Sequence, residues 1–194
     1  MFTSAILLAA GSAARMGADK LLLPYKDRRL IDCALAPLVN CRLIDEVIVV
    51  VRPGFDLPAD DSKRRVVVNP DHREGLGASL RTGVKTANPA ADAFVVSLAD
   101  MPEITVEIVT ALIEAFFRGG KQILVPVYQR RNGHPVVFAG ACRTDLLRLS
   151  GDLGARQMIR EHPEMVGYFP TPQRAVVYDV DQPEDLGTEA RGLG

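Results

Sequence analysis

The chain has almost no net charge, few histidines and cysteines, and no tryptophan among its 194 residues. Lysine and arginine together number 23 against 24 acidic residues, so the formal net charge is −1 at pH 7. Proteins that hold DNA or RNA by counterion release need a cationic field, which this composition does not supply. Nucleic acid is therefore not expected as a partner.

Long apolar runs are missing as well. No segment approaches the roughly 20 apolar residues that a membrane-spanning helix requires. The apolar start at 2–10 is short and has no basic leader, so it lacks the form of a signal peptide. We expect a soluble, cytoplasmic protein that does not bind membranes.

The cysteines are three in number and far apart, at Cys33, Cys41 and Cys142. Zinc sites and dithiol redox sites need cysteines in close pairs, so neither is predicted. We expect all three thiols to be reduced, as in a cytoplasmic protein, and mostly buried.

Two common phosphate-binding patterns are also absent. Gly11 is followed by Gly17 and then by Ala18. The spacing is wrong for a Walker loop, which also needs lysine after its second glycine. The segment equally lacks the Gly-x-Gly-x-x-Gly fingerprint of dinucleotide-binding enzymes, which argues against an NAD-dependent oxidoreductase.

The chain instead alternates β-branched runs with apolar residues at helical spacing. The expected strands are 5–10, 46–51, 65–68, 93–98, 122–127, 135–138 and 176–180. Helical spacing occurs at Ile31, Leu35 and Leu38, and again at Val106, Val109, Ile113 and Phe116. This alternation predicts a doubly wound, mostly parallel sheet with helices on both faces, in one domain over residues 1–194.

Some runs and turn signals refine this architecture. The runs 6–10, 47–51 and 94–98 are apolar at consecutive positions, which predicts central strands covered on both faces. The Gly119-Gly120 pair is predicted to end a helix, and Asn132-Gly133 to form a tight turn within a local antiparallel pair. A closing helix is expected over 183–191.

The first predicted strand leads into a segment of small residues that runs from Gly11 to Lys20 and includes Arg15. Open sheets of this kind bind ligands at the carboxyl ends of their strands. Backbone amides of a glycine-rich turn, together with two cations, suit a phosphate chain. The alternative is an ordinary surface connection that is rich in small residues.

Carboxylates follow two other predicted strands. Asp100 comes just after the strand at 93–98, where it could bind Mg²⁺ or instead cap the next helix. Asp179 and Asp181 come at the end of the run 176–180, and either could complete a metal site. Asp181 is equally placed to cap the closing helix.

The pattern Leu8-Ala-Ala-Gly-Ser-x-x-Arg-Met-Gly-x-x-Lys20 resembles the signature loop of nucleotidyltransferases. Over nearly its whole length the chain is similar to molybdenum cofactor cytidylyltransferases and their guanylyltransferase relatives. The other matching segments are 69–70, 75–83, 98–102, 133–136, 151–156 and 179–186.

The resemblance implies a three-layer α/β/α, Rossmann-like nucleotidyltransferase fold and a Mg²⁺-dependent reaction. In that reaction CMP passes from CTP to the terminal phosphate of molybdopterin, and pyrophosphate is released. A molybdoenzyme that receives the product is a candidate partner. The alternatives are GTP on the same acceptor, an NTP with another phosphorylated acceptor, and a non-catalytic carrier of the cofactor.

The resemblance also assigns roles to individual residues. Nucleotide binding falls to Ala9, Ala10, Gly11, Arg15, Lys20, Asn69, Gly75, Gly77 and Ser79, with a helix expected to start near Ala78. Catalysis falls to Arg15, Lys20 and Asp100, and the metal to Asp100 and Asp181. Guanylyltransferases tend to carry glycine where this chain has Ala10, and the added methyl group favours a smaller pyrimidine base.

His134 and Arg156 correspond to the acceptor side of this family. Taken alone, a histidine in this position is more often a packed structural residue, and no role as a base is assigned to His134. Arg156 offers a planar fork of donors to an acceptor phosphate, or else forms an ordinary surface ion pair.

Overall fold

The computed structural model describes residues 1–11, 19–58, 63–151 and 154–186. The strands are β1 (Thr3–Ala9), β2 (Pro24–Tyr25), β3 (Arg28–Arg29), β4 (Glu46–Val51), β5 (Arg64–Val68), β6 (Ala93–Leu98), β7 (Ile123–Tyr128), β8 (Arg131–Asn132), β9 (Val136–Ala139) and β10 (Val166–Pro170). The α-helices are α1 (Leu30–Asn40), α2 (Leu76–Thr86), α3 (Val106–Gly119), α4 (Arg143–Leu146) and α5 (Ala155–Glu161). Short 3-10 helices cover Lys20–Leu22, His72–Glu74, Gly140–Cys142, Pro163–Met165, Arg174–Val177 and Pro183–Leu186.

The main sheet has the strand order β10-β7-β9-β6-β1-β4-β5, with β8 paired to β7. Strands β6, β1, β4 and β5 run parallel, and β10 runs parallel to β7. Strand β9 runs antiparallel to both of its neighbours, and β8 antiparallel to β7. The prediction of a mostly parallel sheet with a local antiparallel part is confirmed.

The three strands predicted to be central lie side by side. Every residue of Val47–Val51 is fully buried, and the side chains of β1 are at most 6% exposed. One core packs α1 and α3 against the sheet, and a second core packs α2, α4 and α5 against the opposite face. The consecutive apolar positions therefore correctly predicted strands that are covered on both faces.

Helices α1 and α3 match the apolar spacing in the sequence. Ile31, Leu35 and Leu38 of α1 are buried on one face, as are Val109, Ile113 and Phe116 of α3. The Thr105 hydroxyl accepts a hydrogen bond from the Ile108 amide at the start of α3, and Gly120 ends that helix in the left-handed conformation.

Three local predictions are wrong. The run 176–180 is not a strand: residues 174–177 form a 3-10 helix, and 178–180 belong to no helix or strand. The tight turn lies at Gln129-Arg130 between β7 and β8, three residues before the predicted position at Asn132-Gly133. Helix α2 begins at Leu76 rather than near Ala78.

Of the closing helix predicted over 183–191, the structure describes the 3-10 helix Pro183–Leu186. Residues 187–191 of the prediction lie outside the described residues. No helix in the described ranges has the length and apolar character needed to cross a membrane.

The parallel strands align their carboxyl ends along one edge of the sheet. Leu8 of β1 pairs in register with Leu98 of β6 and with Val50 of β4. The exits of these strands, at Ala10, Ala99 and Arg52, therefore lie next to one another. This edge is where open α/β sheets bind ligands.

Candidate active site

The segment after β1 supplies the first cation of the site. Ala9 and Ala10 are buried, and Gly11 is exposed at the strand exit. Arg15 lies outside the described residues, so its predicted roles stay predictions. The described chain resumes at Asp19, and Lys20 opens a 3-10 helix.

Asp19 fixes the backbone around Lys20. Its carboxylate accepts a hydrogen bond from the Leu21 amide at 3.4 Å and pairs with the Arg52 guanidinium. Arg52 directly follows β4, so this pair ties the segment that carries Lys20 to the carboxyl edge of the sheet.

Lys20 brings together the carboxylates that the sequence singled out. Its Nζ lies 3.1 Å from Asp100 Oδ2 and 3.5 Å from Asp181 Oδ1. The same ammonium donates a hydrogen bond to the Val180 carbonyl oxygen at 2.9 Å. Three distant parts of the chain therefore meet at one point on the sheet edge.

The backbone holds Asp100 in place. The Ala99 amide donates to the Leu8 carbonyl at 3.1 Å, and the Val180 amide donates to the Asp100 carbonyl at 2.9 Å. Asp100 does not cap the following helix, since Thr105 has that role. The interpretation of Asp100 as a helix cap is therefore wrong, and its carboxylate faces Lys20 instead.

The second carboxylate next to Lys20 is Asp181. Asp185 accepts hydrogen bonds from the backbone amides of Asp181 and Gln182 at 3.0 and 2.9 Å, which fixes this turn and leaves the Asp181 side chain to face Lys20. Asp179 forms no ion pair with Lys20 within 4 Å in the described chain. Burial and the nearby charges of Asp181 and Asp100 raise the pKa of Asp179.

The donor set at this point fits a hard divalent cation. Asp100 Oδ1 is buried and has no hydrogen-bond partner among the described residues. Mg²⁺ is typically held by one or two carboxylates, with waters and substrate phosphates completing its shell. In the described ranges no group of three or more His, Cys, Asp or Glu side chains could hold a metal by itself, so substrate oxygens would have to contribute.

The residues assigned to the nucleoside contact one another in this structure. The buried Asn69 amide donates to the Ser79 hydroxyl at 3.1 Å, which links the end of β5 to α2. Gly75 precedes α2 with φ of 99°, and the Gly77 amide donates to the Gly151 carbonyl at 3.0 Å. Their nucleotide contacts stay predictions.

The two acceptor-side candidates share a cavity of ≈ 500 Å³. His134 and Arg156 line it together with the apolar side chains Leu8, Leu80, Val96, Val136, Ile159 and Tyr168. Arg160, one helical turn after Arg156 on α5, also lines it, and sequence reasoning missed this residue. The i, i+4 spacing of two arginines was the signal that could have found it.

His134 lines this cavity and approaches strand β6, which leads to Asp100. The pKa of its imidazole is lowered to about 4, chiefly by burial and to a smaller extent by the Arg156 charge, whereas the Val96 carbonyl and the Asp100 charge act in the opposite direction. Nδ1 lies 3.5 Å from the Val96 carbonyl oxygen. His134 is therefore neutral at pH 7.

His134 should make stability depend on pH. The folded pKa of about 4 lies below the ordinary value of 6.5, so the unfolded state takes up the proton first as pH falls. This contribution is complete above pH 6.5 and is lost as pH falls toward 4. Urea unfolding at pH 7.5 and pH 5 should show a loss of about 2 kcal/mol that His134→Asn does not show. The exposed His162 provides the control variant His162→Asn, and equal losses in wild type and His134→Asn would contradict the assignment.

The carboxyl edge of this doubly wound sheet, where such folds bind ligands, gathers a lysine and two aspartates, and a cavity is lined by Leu8 of the adjoining first strand. The chain belongs to the MobA-like NTP transferase domain family, whose model matches residues 5–166. It is therefore a member of a nucleotidyltransferase family.

The named relatives differ in the nucleotide and in the activity. A probable molybdenum cofactor guanylyltransferase from Thermococcus gammatolerans is 30% identical, over 96% of this chain and 98% of its own length. The molybdenum cofactor cytidylyltransferase of Escherichia coli is 26% identical, over 94% and 93%. A nicotine blue oxidoreductase from Paenarthrobacter nicotinovorans is 30% identical, over 93% of each.

Solved structures share the fold. Rv0371c from Mycobacterium tuberculosis has a TM-score of 0.82 at 25% identity, covering 95% of this chain and 96% of its own. A manganese complex of that protein has a TM-score of 0.75 at 23% identity, with the same coverage. A nucleotidyl transferase from Methanothermobacter has a TM-score of 0.75 at 20% identity, covering 95% and 94%.

Proposed function

We propose that this protein transfers CMP from CTP to the terminal phosphate of a molybdopterin-type acceptor and releases pyrophosphate. The observation that carries the proposal is the meeting of Lys20, Asp100 and Asp181 at the exit of the first strand. A cation and two carboxylates at that edge are the groups that a triphosphate and a divalent ion require.

The residues act by positioning and by charge neutralisation. The attacking group is a phosphate oxygen that is already anionic at neutral pH, because the second pKa of phosphate is about 6. The reaction therefore needs no general base, which agrees with the low pKa of His134. Lys20, together with Arg15, would receive the charge that develops on the leaving pyrophosphate.

Asp100 and Asp181 would hold the divalent ion, which we propose to be Mg²⁺. When bound, the ion supplies positive charge at the α-phosphate and the acceptor oxygen. The unpartnered Asp100 Oδ1 supports this assignment, and the manganese complex of a similar structure is compatible with it.

The ≈ 500 Å³ cavity is the proposed acceptor site. Its apolar walls suit a flat heterocycle, and Arg156 and Arg160 would pair with anionic groups of the acceptor through their planar guanidinium forks. The neutral His134 would contribute a hydrogen bond rather than a charge. His134 Nδ1 lies 3.5 Å from the carbonyl oxygen of Val96, on the strand that leads to Asp100, which supports placing the acceptor next to the phosphate-transfer site.

CTP is proposed over GTP because Ala10 stands where guanylyltransferases tend to carry glycine. Ala10 is buried in the core beneath the strand exit, so its methyl group is fixed. The named relatives include users of each nucleotide, and GTP is the alternative.

A thermal-shift panel of CTP, GTP, UTP and ATP, each with Mg²⁺, tests the nucleotide. A ligand at about 100 times its Kd stabilises the folded state by about 2.7 kcal/mol, which for a chain of this size raises Tm by about 5 to 10 °C. We expect this shift with CTP and a smaller one with GTP. The reverse order would replace CTP with GTP, and no shift with any triphosphate would refute the proposal.

The oxidoreductase relative supports a second candidate, a redox enzyme on the same fold. The missing dinucleotide fingerprint argues against it. NADH and NADPH added to the same panel distinguish the two candidates, since a shift with either cofactor and none with a triphosphate would favour the redox enzyme.

A further inference from the structure

Lys20 is held as a metal ion would be. Its ammonium lies 3.1 Å from Asp100 Oδ2, 3.5 Å from Asp181 Oδ1 and 2.9 Å from the Val180 carbonyl oxygen. All three partners are oxygen atoms, and we call them the oxygen cage. The Lys20 and Asp100 side chains are only 21% and 25% exposed, so solvent screens their attraction incompletely.

The cage matches the ligand preference of hard divalent cations, which take carboxylate and backbone carbonyl oxygens. Val180 is held in place, because its amide donates to the Asp100 carbonyl at 2.9 Å. An ammonium and a divalent ion at this one point would repel each other strongly. The cage therefore has room for one cation at a time.

We propose that the Lys20 ammonium and the divalent ion are alternative occupants of the oxygen cage, with the Val180 carbonyl as a third protein ligand. Entry of the ion releases Lys20, whose long flexible side chain then pairs with the triphosphate. In the absence of nucleotide Lys20 keeps the two carboxylates neutralised and opposes the metal. This inference rests on the proposed function, because it uses the same metal site.

Direct Mn²⁺ binding tests the exchange without any activity measurement. Electron paramagnetic resonance of free Mn²⁺ gives the affinity of the nucleotide-free protein for wild type, Lys20→Ala and Lys20→Gln. Without the competing ammonium, both variants should bind Mn²⁺ about tenfold more tightly than wild type. Lys20→Gln keeps a polar side chain of similar length and guards against misfolding of the alanine variant.

Lys85→Ala is the matched control, because Lys85 is exposed on α2 and has no ion pair among the described residues. It removes the same charge and should leave Mn²⁺ affinity unchanged. With CTP present, wild type should bind Mn²⁺ more tightly than Lys20→Ala does, since this variant also lacks the proposed contact with the triphosphate. Wild-type Mn²⁺ affinity in both Lys20 variants, within about twofold, would overturn the exchange.

Asp100→Asn separates this inference from the proposed function. If Asp100→Asn binds Mn²⁺ as tightly as wild type does, the metal site itself is misplaced, and the exchange fails together with the proposed assignment of Asp100 to the metal. If Asp100→Asn loses Mn²⁺ while the Lys20 variants match wild type, only the exchange fails.

Discussion

Asp100→Asn should reduce kcat for nucleotidyl transfer by about a hundredfold or more, while CTP affinity measured without metal stays the same or increases. The reason lies in the contacts of its carboxylate. Asp100 Oδ2 pairs with Lys20, and Oδ1 is buried without a partner among the described residues, so one neutral substitution removes both the charge and the proposed metal ligand. Steady-state kinetics with saturating Mg²⁺ and metal-free CTP titration measure the two effects separately.

Asp145→Asn is the control for this variant. Asp145 is an exposed carboxylate on α4, and it pairs with Arg148, which lies just after that helix. It should keep wild-type kcat. An Asp100→Asn enzyme with wild-type kcat at limiting Mg²⁺ would contradict the assignment of Asp100 to the metal.

Gly133→Ala should lower the stability of the protein far more than a neutral substitution on the surface does. A β-carbon at Gly133 would lie 2.1 Å from the Val176 carbonyl oxygen and 2.7 Å from its carbon, which is backbone that has no room to yield. The Gly133 amide donates to the Pro126 carbonyl and the His134 amide to the Val176 carbonyl, both at 2.8 Å. Forcing these segments apart should cost about 3 kcal/mol and lower Tm by about 6 to 12 °C.

The same substitution should reduce activity in the fraction that stays folded, because residues 174–177 lead directly into Val180 and Asp181. Gly119→Ala is the matched control. Gly119 ends α3 and has nothing within 4 Å of an added β-carbon, so alanine there should be neutral or stabilising by up to about 1 kcal/mol. Calorimetry that gives equal Tm values for the two variants would contradict the predicted clash.

The sheet was predictable because its central strands are buried on both faces. Consecutive apolar positions in β1, β4 and β6 carry that information locally, and the helical spacing of α1 and α3 does so as well. The placement of Lys20 and Asp100 at the carboxyl edge was predictable from the same logic, since each follows a strand that ends there, whereas their roles stay predictions.

The strand prediction for 176–180 failed because its β-branched residues are buried by packing against the core and not by membership of the sheet. Val176 packs into the core, but its carbonyl oxygen accepts from the His134 amide and its own amide donates to the Gln173 carbonyl. The backbone of this run therefore bonds to several partners instead of one strand neighbour, since the Val180 amide donates to the Asp100 carbonyl and the Val180 carbonyl accepts from Lys20. Only the tertiary contact decides this outcome.

The turn was misplaced for a related reason. Asn-Gly is the common signal for a two-residue hairpin, yet Gln129 and Arg130 adopt positive φ values of 45° and 67° between β7 and β8. Gly133 is needed for its close approach to Val176 and not for a turn. The pairing of β7 with β8 holds Gln129 and Arg130 in the turn, although glycine or asparagine would adopt these positive φ values more easily.

Parts of the site depend on contacts between distant segments and carry no local signal. The Val180 carbonyl in the oxygen cage and the pairing of Asp19 with Arg52 are of this kind. A backbone carbonyl has no residue type of its own that could be recognised in a sequence. The Asp19-Lys20 pair likewise does not indicate which arginine Asp19 will bind.

Pyrophosphate release from CTP with molybdopterin and Mg²⁺ tests the central claim most directly. We expect release that requires the acceptor, stops when the metal is chelated, and falls with Asp100→Asn. The absence of release with both CTP and GTP, or release that continues under chelation, would contradict the account.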